Sequence, residues 1–193
     1  MNLEPHIALV AGWLDAVHLE SAPSRISVIQ EENFAKDSGG LTAATGREIE
    51  RTALHEASHA VVAHGLGLDV GRVCVRADAS GSAAYTASEA RADTLLSMVL
   101  ADLAGIVAEL LTGADHRRQF ALANSHDILS ARSSIEECQR LAPSWMLTSR
   151  SVAILTCCIV ESNLRQIERV AGALRLCREL DGGAVEALCG QLQ

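Results

Sequence analysis

Residues 55–59 read HEASH and place the strongest constraint on how this chain can fold. On an α-helix, positions i and i+4 share a face, so the imidazoles of His55 and His59 can reach one metal ion with Glu56 beside it. Two neutral histidine ligands and a carboxylate that takes a proton from an activated water are typical of zinc hydrolases. The spacing therefore predicts a helical zinc site with Glu56 as its base.

The residues around this motif favour a core helix. Apolar residues flank it on both sides, and neither Pro nor Gly occurs between residues 47 and 63. The pattern predicts a helix over 45–64 that is ended by Gly65 and Gly67. The alternative is an amphipathic helix in which both histidines lie on the surface and Glu56 is merely solvated.

Composition narrows the fold class and the partners. The 193 residues are 49% hydrophobic and only 3% aromatic, which favours packed helices rich in Ala, Leu, Val and Ile, and we predict a mainly α fold. The net charge is −8 and no basic run occurs, so nucleic acid and anionic membranes are poor candidate partners.

The cysteines and the N-terminus indicate the compartment. Six cysteines without a C-x-x-C pair are typical of reduced, buried thiols in a cytoplasmic protein. The first residues lack the pattern of a signal peptide, and we expect no membrane span.

The pattern along the chain separates an N-terminal extension and linker, residues 1–40, from a main domain, residues 41–193. In the extension we predict a short helix over 7–19, a strand-like stretch over 25–30 and a linker over 36–40. The main domain is expected to carry a small β-hairpin after the motif helix, with strands over 69–77 and 82–86. Further helices are predicted over 91–111, from 124 or 125 to about 141, and over 148–180, followed by a stop at 181–183 and a short final helix.

A catalytic zinc needs a third protein ligand. The metzincin extension of the motif is absent, because Val62 and Gly65 stand where that pattern requires Gly and His. His64 lies five residues after His59 and points away from the shared face. Spacing does not choose among the remaining candidates, which are Glu89, Asp102, Glu109, His116, His126 and Asp127.

Several segments resemble the peptidase domain of the FtsH family, which comprises ATP-dependent zinc metalloproteases. The family motif H-E-A-G-H-A-V is matched by HEASHAV, and G-Y-T by the AYT of residues 84–86. The family helix with L-x-G-R-x-A-E-E is matched by LAGIVAEL at residues 103–110, and G-A-S-N-D-L by NSHDI at residues 124–128. An L-x-G sequence at residues 180–182 matches the end of the family's last helix. The resemblance covers the chain from about Leu41 onward.

The resemblance implies a helical metallopeptidase domain in which Asp127 is the third Zn²⁺ ligand beside His55 and His59. An acid in the first turn of a helix is also favoured by the helix dipole without any metal. Glu109, by the same match, could orient a ligating histidine, or it could be only the charge near the end of an apolar helix. His126 replaces the family's Asn, and its role stays open.

The chain also departs from the family. Ser58 replaces a Gly inside the motif, Ala84 replaces the Gly of G-Y-T, and Ile106 and Leu110 replace an Arg and a Glu. The family's membrane anchor and ATPase module have no counterpart, since no G-x-x-x-x-G-K-[ST] loop occurs. The chain is therefore expected to resemble a free-standing peptidase domain.

Zinc-dependent hydrolysis of peptide bonds is the leading hypothesis for function. Its substrates would be unfolded segments or short peptides that pair with the strand ending near Tyr85, unless a separate ATPase partner supplies unfolding. Homo-oligomerisation is left open. One alternative is a non-catalytic zinc-binding regulatory or interaction module that retains the peptidase fold. Another is an all-helical scaffold that binds no metal.

Overall fold

The computed structural model describes residues 1–16, 44–89, 91–114, 118–119, 122 and 125–190. The described elements follow the order α1 (Glu4–Ala16), α2 (Gly46–Gly65), β1 (Asp69–Val75), β2 (Gly81–Thr86), α3 (Ala92–Leu111), α4 (His126–Leu141), a 3₁₀ turn (Pro143–Trp145), α5 (Ser149–Cys177), β3 (Glu179–Leu180) and α6 (Gly182–Cys189). The predicted mainly α fold with a small hairpin after the motif helix is confirmed.

Helix α2 carries the HEASH motif and begins where the sequence predicts. The Thr45 hydroxyl accepts a hydrogen bond from the Glu48 amide, and the Glu48 carboxylate accepts one from the Thr45 amide at 2.7 Å. This capping box satisfies amides that the first helical turn leaves without partners. At the other end Gly67 adopts a φ of +77°, which terminates the helix.

Helix α3 is the centre of the core. Every residue from Met98 to Leu110 is buried, and the helix packs against α2, α4 and α5. Ile106 and Leu110 lie in this core, so the positions at which the family has charged residues serve here as apolar packing. Within the described ranges, α3 is the one helix long and apolar enough to cross a membrane, but 72% of its apolar window is buried inside the fold.

The three strands form an antiparallel sheet in the order β2-β1-β3. Val73 pairs with Ala83 of β2 on one side and with Leu180 of β3 on the other. The pairing of β1 with β2 is irregular between Val70 and Val73. Strand β2 is therefore an edge strand of the described sheet, and it leads directly away from the turn beside α2.

The end of α5 differs from the prediction. The helix was expected to continue to Leu180, but it ends at Cys177, and Arg178 adopts a left-handed φ of 67°. The Arg178 carbonyl accepts a hydrogen bond from the Val75 amide at 2.9 Å, and β3 follows. Asp181 then caps α6 by accepting from the Ala184 amide at 2.8 Å. The predicted stop at residues 181–183 is thus the start of the last helix.

Helix α1 packs onto the same core. It was expected over 7–19 and begins at Glu4; it buries Ile7, Val10, Ala11 and Leu14. At its end, Asp15 accepts a hydrogen bond from the Ser149 hydroxyl at 2.6 Å. The strand-like stretch, the linker and the predicted boundary near residue 40 lie outside the described residues.

All six cysteines are free, as predicted. The expectation that they are buried is correct for Cys74, Cys138 and Cys157. It is wrong for Cys158 and Cys177, which are exposed. Cys158 follows a buried cysteine on α5, and adjacent residues of a helix point in different directions.

Candidate metal centre

Three predicted ligands meet at the junction of α2 and α4. His55 and His59 lie one turn apart on α2 with ring centroids 4.7 Å apart, and Asp127 lies in the first turn of α4. The Asp127 Oδ2 atom is 3.1 Å from Nε2 of His55 and 3.8 Å from Nε2 of His59. One ligand atom from each residue lies within 4.8 Å of the others. This group could hold a metal ion.

The centre is largely shielded from solvent. The side chains of His59 and Asp127 are 7% and 9% exposed, and that of His55 is 12% exposed. Glu56 is also buried, with 5% of the residue exposed. These values contradict the alternative of surface histidines with a solvated glutamate. The motif instead faces the interior, where a charged group needs a partner of opposite charge.

The outer nitrogen of each histidine is occupied by α3. Nδ1 of His55 lies 2.8 Å from a carboxylate oxygen of Glu109, and Nδ1 of His59 lies 2.7 Å from the Ala101 carbonyl oxygen. An ionised carboxylate and a backbone carbonyl can only accept hydrogen bonds. Both Nδ1 atoms therefore act as donors. In neutral histidines this leaves the Nε2 lone pairs directed toward Asp127. That is the arrangement found when histidines ligate a metal through Nε2.

Gly105 of α3 makes this close approach achievable. A Cβ atom at this position would lie 2.7 Å from Nε2 of both His55 and His59. A side chain of any size would therefore push into the space between the ligand nitrogens. The glycine that matches the family's L-x-G-R-x-A-E-E sequence thus has a steric role, because it keeps the space beside both Nε2 atoms clear.

Glu56 lies next to the ligands and under the hairpin turn. A Cβ atom on Gly81 would lie 2.5 Å from Oε1 of Glu56 and 2.6 Å from the Thr52 methyl group. The Thr52 hydroxyl donates to the Ala79 carbonyl at 2.8 Å, which holds the turn on α2. The first residue of β2 therefore packs directly on the carboxylate of the predicted base.

Glu109 anchors His55 through its charge. Its side chain is only 1% exposed, and it pairs with Arg118 by two guanidinium contacts and with Arg51 at 3.7 Å. Burial by itself would raise the pKa of Glu109, but Arg118 and His55 outweigh it and lower the pKa to about 2. Glu109 is accordingly ionised at neutral pH. The predicted role of orienting a histidine matches these contacts.

Acidic side chains surround the histidines of the centre. Burial opposes a positive charge on His55, but hydrogen bonds to Asp127 and Glu109 outweigh it and raise its pKa well above the ordinary value. The same histidines hold the pKa of Asp127 low against the effect of burial. Positive charge is therefore favoured between these groups. A divalent cation bound to two imidazoles and a carboxylate meets that requirement, and this donor set suits Zn²⁺ and related first-row ions.

The other described candidates for the third ligand do not join the group of His55, His59 and Asp127. Glu109 binds the outer nitrogen of His55, while the side chain of Glu89 is 69% exposed and His126 is exposed. His116 lies outside the described residues. Asp102 is buried but contacts Tyr85 and Ser130, and burial raises its pKa to about 7. Sequence reasoning singled out Tyr85 for its strand and for the match to the family's G-Y-T motif, but it did not find Ser130, because a lone serine on a helix carries no signal.

A cavity of about 610 Å³ lies on the other side of Glu109. Arginines and glutamates of α2 and α5 line it together with Arg118. None of His55, His59, Glu56 and Asp127 contributes to its wall. The cavity is therefore separate from the centre, although Glu109 belongs to both.

The serine within the motif is accommodated without crowding. Ser58 is fully buried, and its hydroxyl donates to the Leu54 carbonyl at 2.7 Å. It replaces a glycine of the family motif, so its hydroxyl needed an acceptor in the core.

Comparison with known proteins does not assign the chain to a family. No protein-family model matches the sequence, and no curated protein sequence is significantly similar to it. The resemblance to FtsH peptidases therefore depends on the short sequence motifs alone.

Proposed function

We propose that this chain is a zinc-dependent metallopeptidase related to the FtsH peptidase domain. His55, His59 and Asp127 would hold the ion, and Glu56 would act as general base. One observation carries the proposal: both histidines have their Nδ1 atoms bound to oxygens of α3, and both Nε2 atoms converge on one oxygen of Asp127. This arrangement places Nε2 of each histidine and the Asp127 oxygen where one ion could bind all three, which supports a metal centre.

Bound zinc would supply a Lewis acid that activates water and polarises the scissile carbonyl. The residues of the chain provide the remaining steps. Glu56 accepts a proton from the attacking water while the water oxygen bonds to the carbonyl carbon. As the C–N bond breaks, Glu56 returns that proton to the leaving amine nitrogen. The buried position of Glu56 beside His55 supports this role.

The substrate would be an extended peptide. Strand β2 lies at the edge of the sheet that the described residues form, and it starts at Gly81 on top of Glu56. A peptide that adds to this edge by main-chain hydrogen bonds would pass the proposed base. Extended pairing requires an unfolded segment or a short peptide, so folded substrates would need a separate ATPase partner. The net charge of −8 makes nucleic acid a poor alternative substrate.

A non-catalytic zinc-binding module is the second candidate. The low exposure of the ligand side chains, 7% to 12%, favours it, because a catalytic ion must be reached by water and substrate. A closed site has no use for a base, so the position of Glu56 favours the enzyme instead. Cleavage of unfolded casein by the zinc-loaded protein separates the two proposals.

Three variants make this test specific. Glu56→Gln should keep zinc at one ion per chain and reduce casein cleavage by about a hundredfold or more, since it removes only the base. Asp127→Ala should lose zinc as well as activity. Glu186→Gln, an exposed change on α6, is the matched control and should behave like the wild type. Undiminished cleavage by Glu56→Gln would exclude the mechanism, and absence of zinc from the wild type would exclude the metal centre.

A further inference from the structure

A second buried polar cluster lies behind the proposed metal centre and is not used by it. Asp102 of α3 is only 3% exposed. Its Oδ1 atom accepts a hydrogen bond from the Tyr85 hydroxyl, and its Oδ2 atom accepts one from the Ser130 hydroxyl at 2.7 Å. The cluster thus joins β2, α3 and α4 at one carboxyl group.

Each part of this cluster is adjacent to a proposed ligand. Ser130 follows Asp127 by three residues on α4, so the two side chains lie on the same face of that helix. The residue before Asp102 is Ala101, whose carbonyl accepts the Nδ1 hydrogen bond of His59. The rings of Tyr85 and His59 are 6.5 Å apart. The backbone of α3 at Ala101 therefore contacts His59, and the next side chain, that of Asp102, contacts the helix that carries Asp127.

Core packing alone does not require an acid at this position. A buried carboxyl group is costly to desolvate, and replacing buried polar networks by apolar residues is often neutral or stabilising. An apolar residue would fill the space but would not set the rotation of α4 against α3. Two hydrogen bonds to one carboxyl group do set it, because their lengths and directions restrict both partners.

We propose that Asp102 is a positioning residue that keeps Asp127 within reach of both histidines and links the ligand set to the edge strand through Tyr85. This inference rests on the proposed metal centre. It concerns the affinity for the metal, and it therefore has a readout that does not depend on peptide cleavage.

Ser130 offers the mildest test, because Ser130→Ala removes one hydroxyl from a partly buried helix position. We expect the zinc dissociation constant, measured by competition with a chelating dye, to rise by up to about 10-fold, the low end of the range for removal of a group bonded to the ligand itself. Ser130→Thr, which keeps the hydroxyl, should restore most of the affinity. Tyr85→Phe should weaken zinc binding less, since it removes one hydrogen bond to Asp102 but keeps the bond between Asp102 and Ser130 of α4.

A matched control removes a hydroxyl from a helix that carries none of the proposed ligands. Ser162 of α5 is exposed, and its hydroxyl donates to the Cys158 carbonyl at 2.7 Å. Ser162→Ala should leave the zinc dissociation constant unchanged. The visible spectrum of the cobalt-loaded protein should change in Ser130→Ala and remain that of the wild type in Ser162→Ala.

The outcomes separate this inference from the proposed function. If Ser130→Ala binds zinc like the wild type, or if Ser130→Thr is as weak as Ser130→Ala, the positioning role is overturned and the metal centre stands. Equal losses in Ser130→Ala and Ser162→Ala would also overturn it. A wild-type protein that binds no zinc would overturn both proposals.

Discussion

Glu109 on α3 accepts a hydrogen bond from Nδ1 of His55 at 2.8 Å, and this contact determines which nitrogen of the imidazole faces Asp127. The carboxylate is itself held by Arg118 and lies near Arg51. His55 is therefore oriented by a buried charge that is neutralised from its far side. Arg118 and Glu109, which line the cavity, therefore connect it to the proposed metal ligand His55.

Glu109→Gln should weaken metal binding without unfolding the protein. The change keeps the shape of the side chain but removes the charge that favours a donating Nδ1, so the zinc dissociation constant should rise by about 10–100-fold. Chelator competition measures this constant. Glu168→Gln, an exposed change on α5, is the control. Indistinguishable dissociation constants for the two variants would show that Glu109 does not support the site.

Substitution of Gly105 should disrupt the centre by contact alone. The added methyl group of Gly105→Ala would lie 2.7 Å from both Nε2 atoms. Overpacking of this kind costs about 1–3 kcal/mol of stability, and zinc binding should be lost as the histidines move apart. Thermal unfolding and zinc stoichiometry test the two effects.

Gly172 of α5 provides the opposite case. A Cβ atom there would have no neighbour within 4 Å. Gly172→Ala should therefore stabilise the protein by about 0.5–1 kcal/mol, the difference in helix propensity between the two residues. A Gly105→Ala variant as stable as Gly172→Ala and fully zinc-loaded would contradict the steric role of Gly105.

Asp102 should make the stability of the metal-free protein depend on pH. Burial raises its pKa to about 7 from an ordinary value of 3.8, so the folded state binds the proton more tightly than the unfolded state. The stabilisation is complete below the unfolded pKa and is lost as the pH rises through the folded pKa. Relative to Asp102→Asn, the wild type should lose up to about 1.4 kcal/mol per pH unit between roughly pH 4.5 and 6.5, and the loss should level off above roughly pH 7.5.

Urea unfolding in the presence of a chelator measures this difference. Groups that do not interact with Asp102 cancel in the comparison. Parallel stability curves for wild type and Asp102→Asn across this range would mean that Asp102 keeps an ordinary pKa despite its burial.

The local elements of the centre were predictable because their signals are local. The capping box of Thr45 and Glu48, the apolar flanks of the motif and the glycines after it define α2 within one turn at each end. The hairpin and α3 follow in the same way from alternation and from a long apolar run. The end of α5 was predicted wrongly, because β3 exists only through its pairing with β1.

The site could be predicted only in part. Residues 55, 56 and 59 follow from one motif, whereas spacing left six candidates for the third ligand and only the resemblance singled out Asp127. The zinc site, its Asp127 ligand and the peptidase activity stay predictions until metal and cleavage are measured. The resemblance pointed to Glu109 as a residue that could orient a histidine, whereas no sequence signal specified the contacts of Gly105 and Asp102.

The sequence by itself determined where α2 begins and ends, and that His55, Glu56 and His59 share one side of it, since helical spacing needs no other part of the chain. Only the tertiary structure decided that these residues face inward and that Asp127, 72 residues away from His55, meets them. It also decided which histidine nitrogens remain for a ligand. The physical reason is packing: α3 approaches α2 closely at Gly105, and its oxygens then occupy the outer side of both imidazoles.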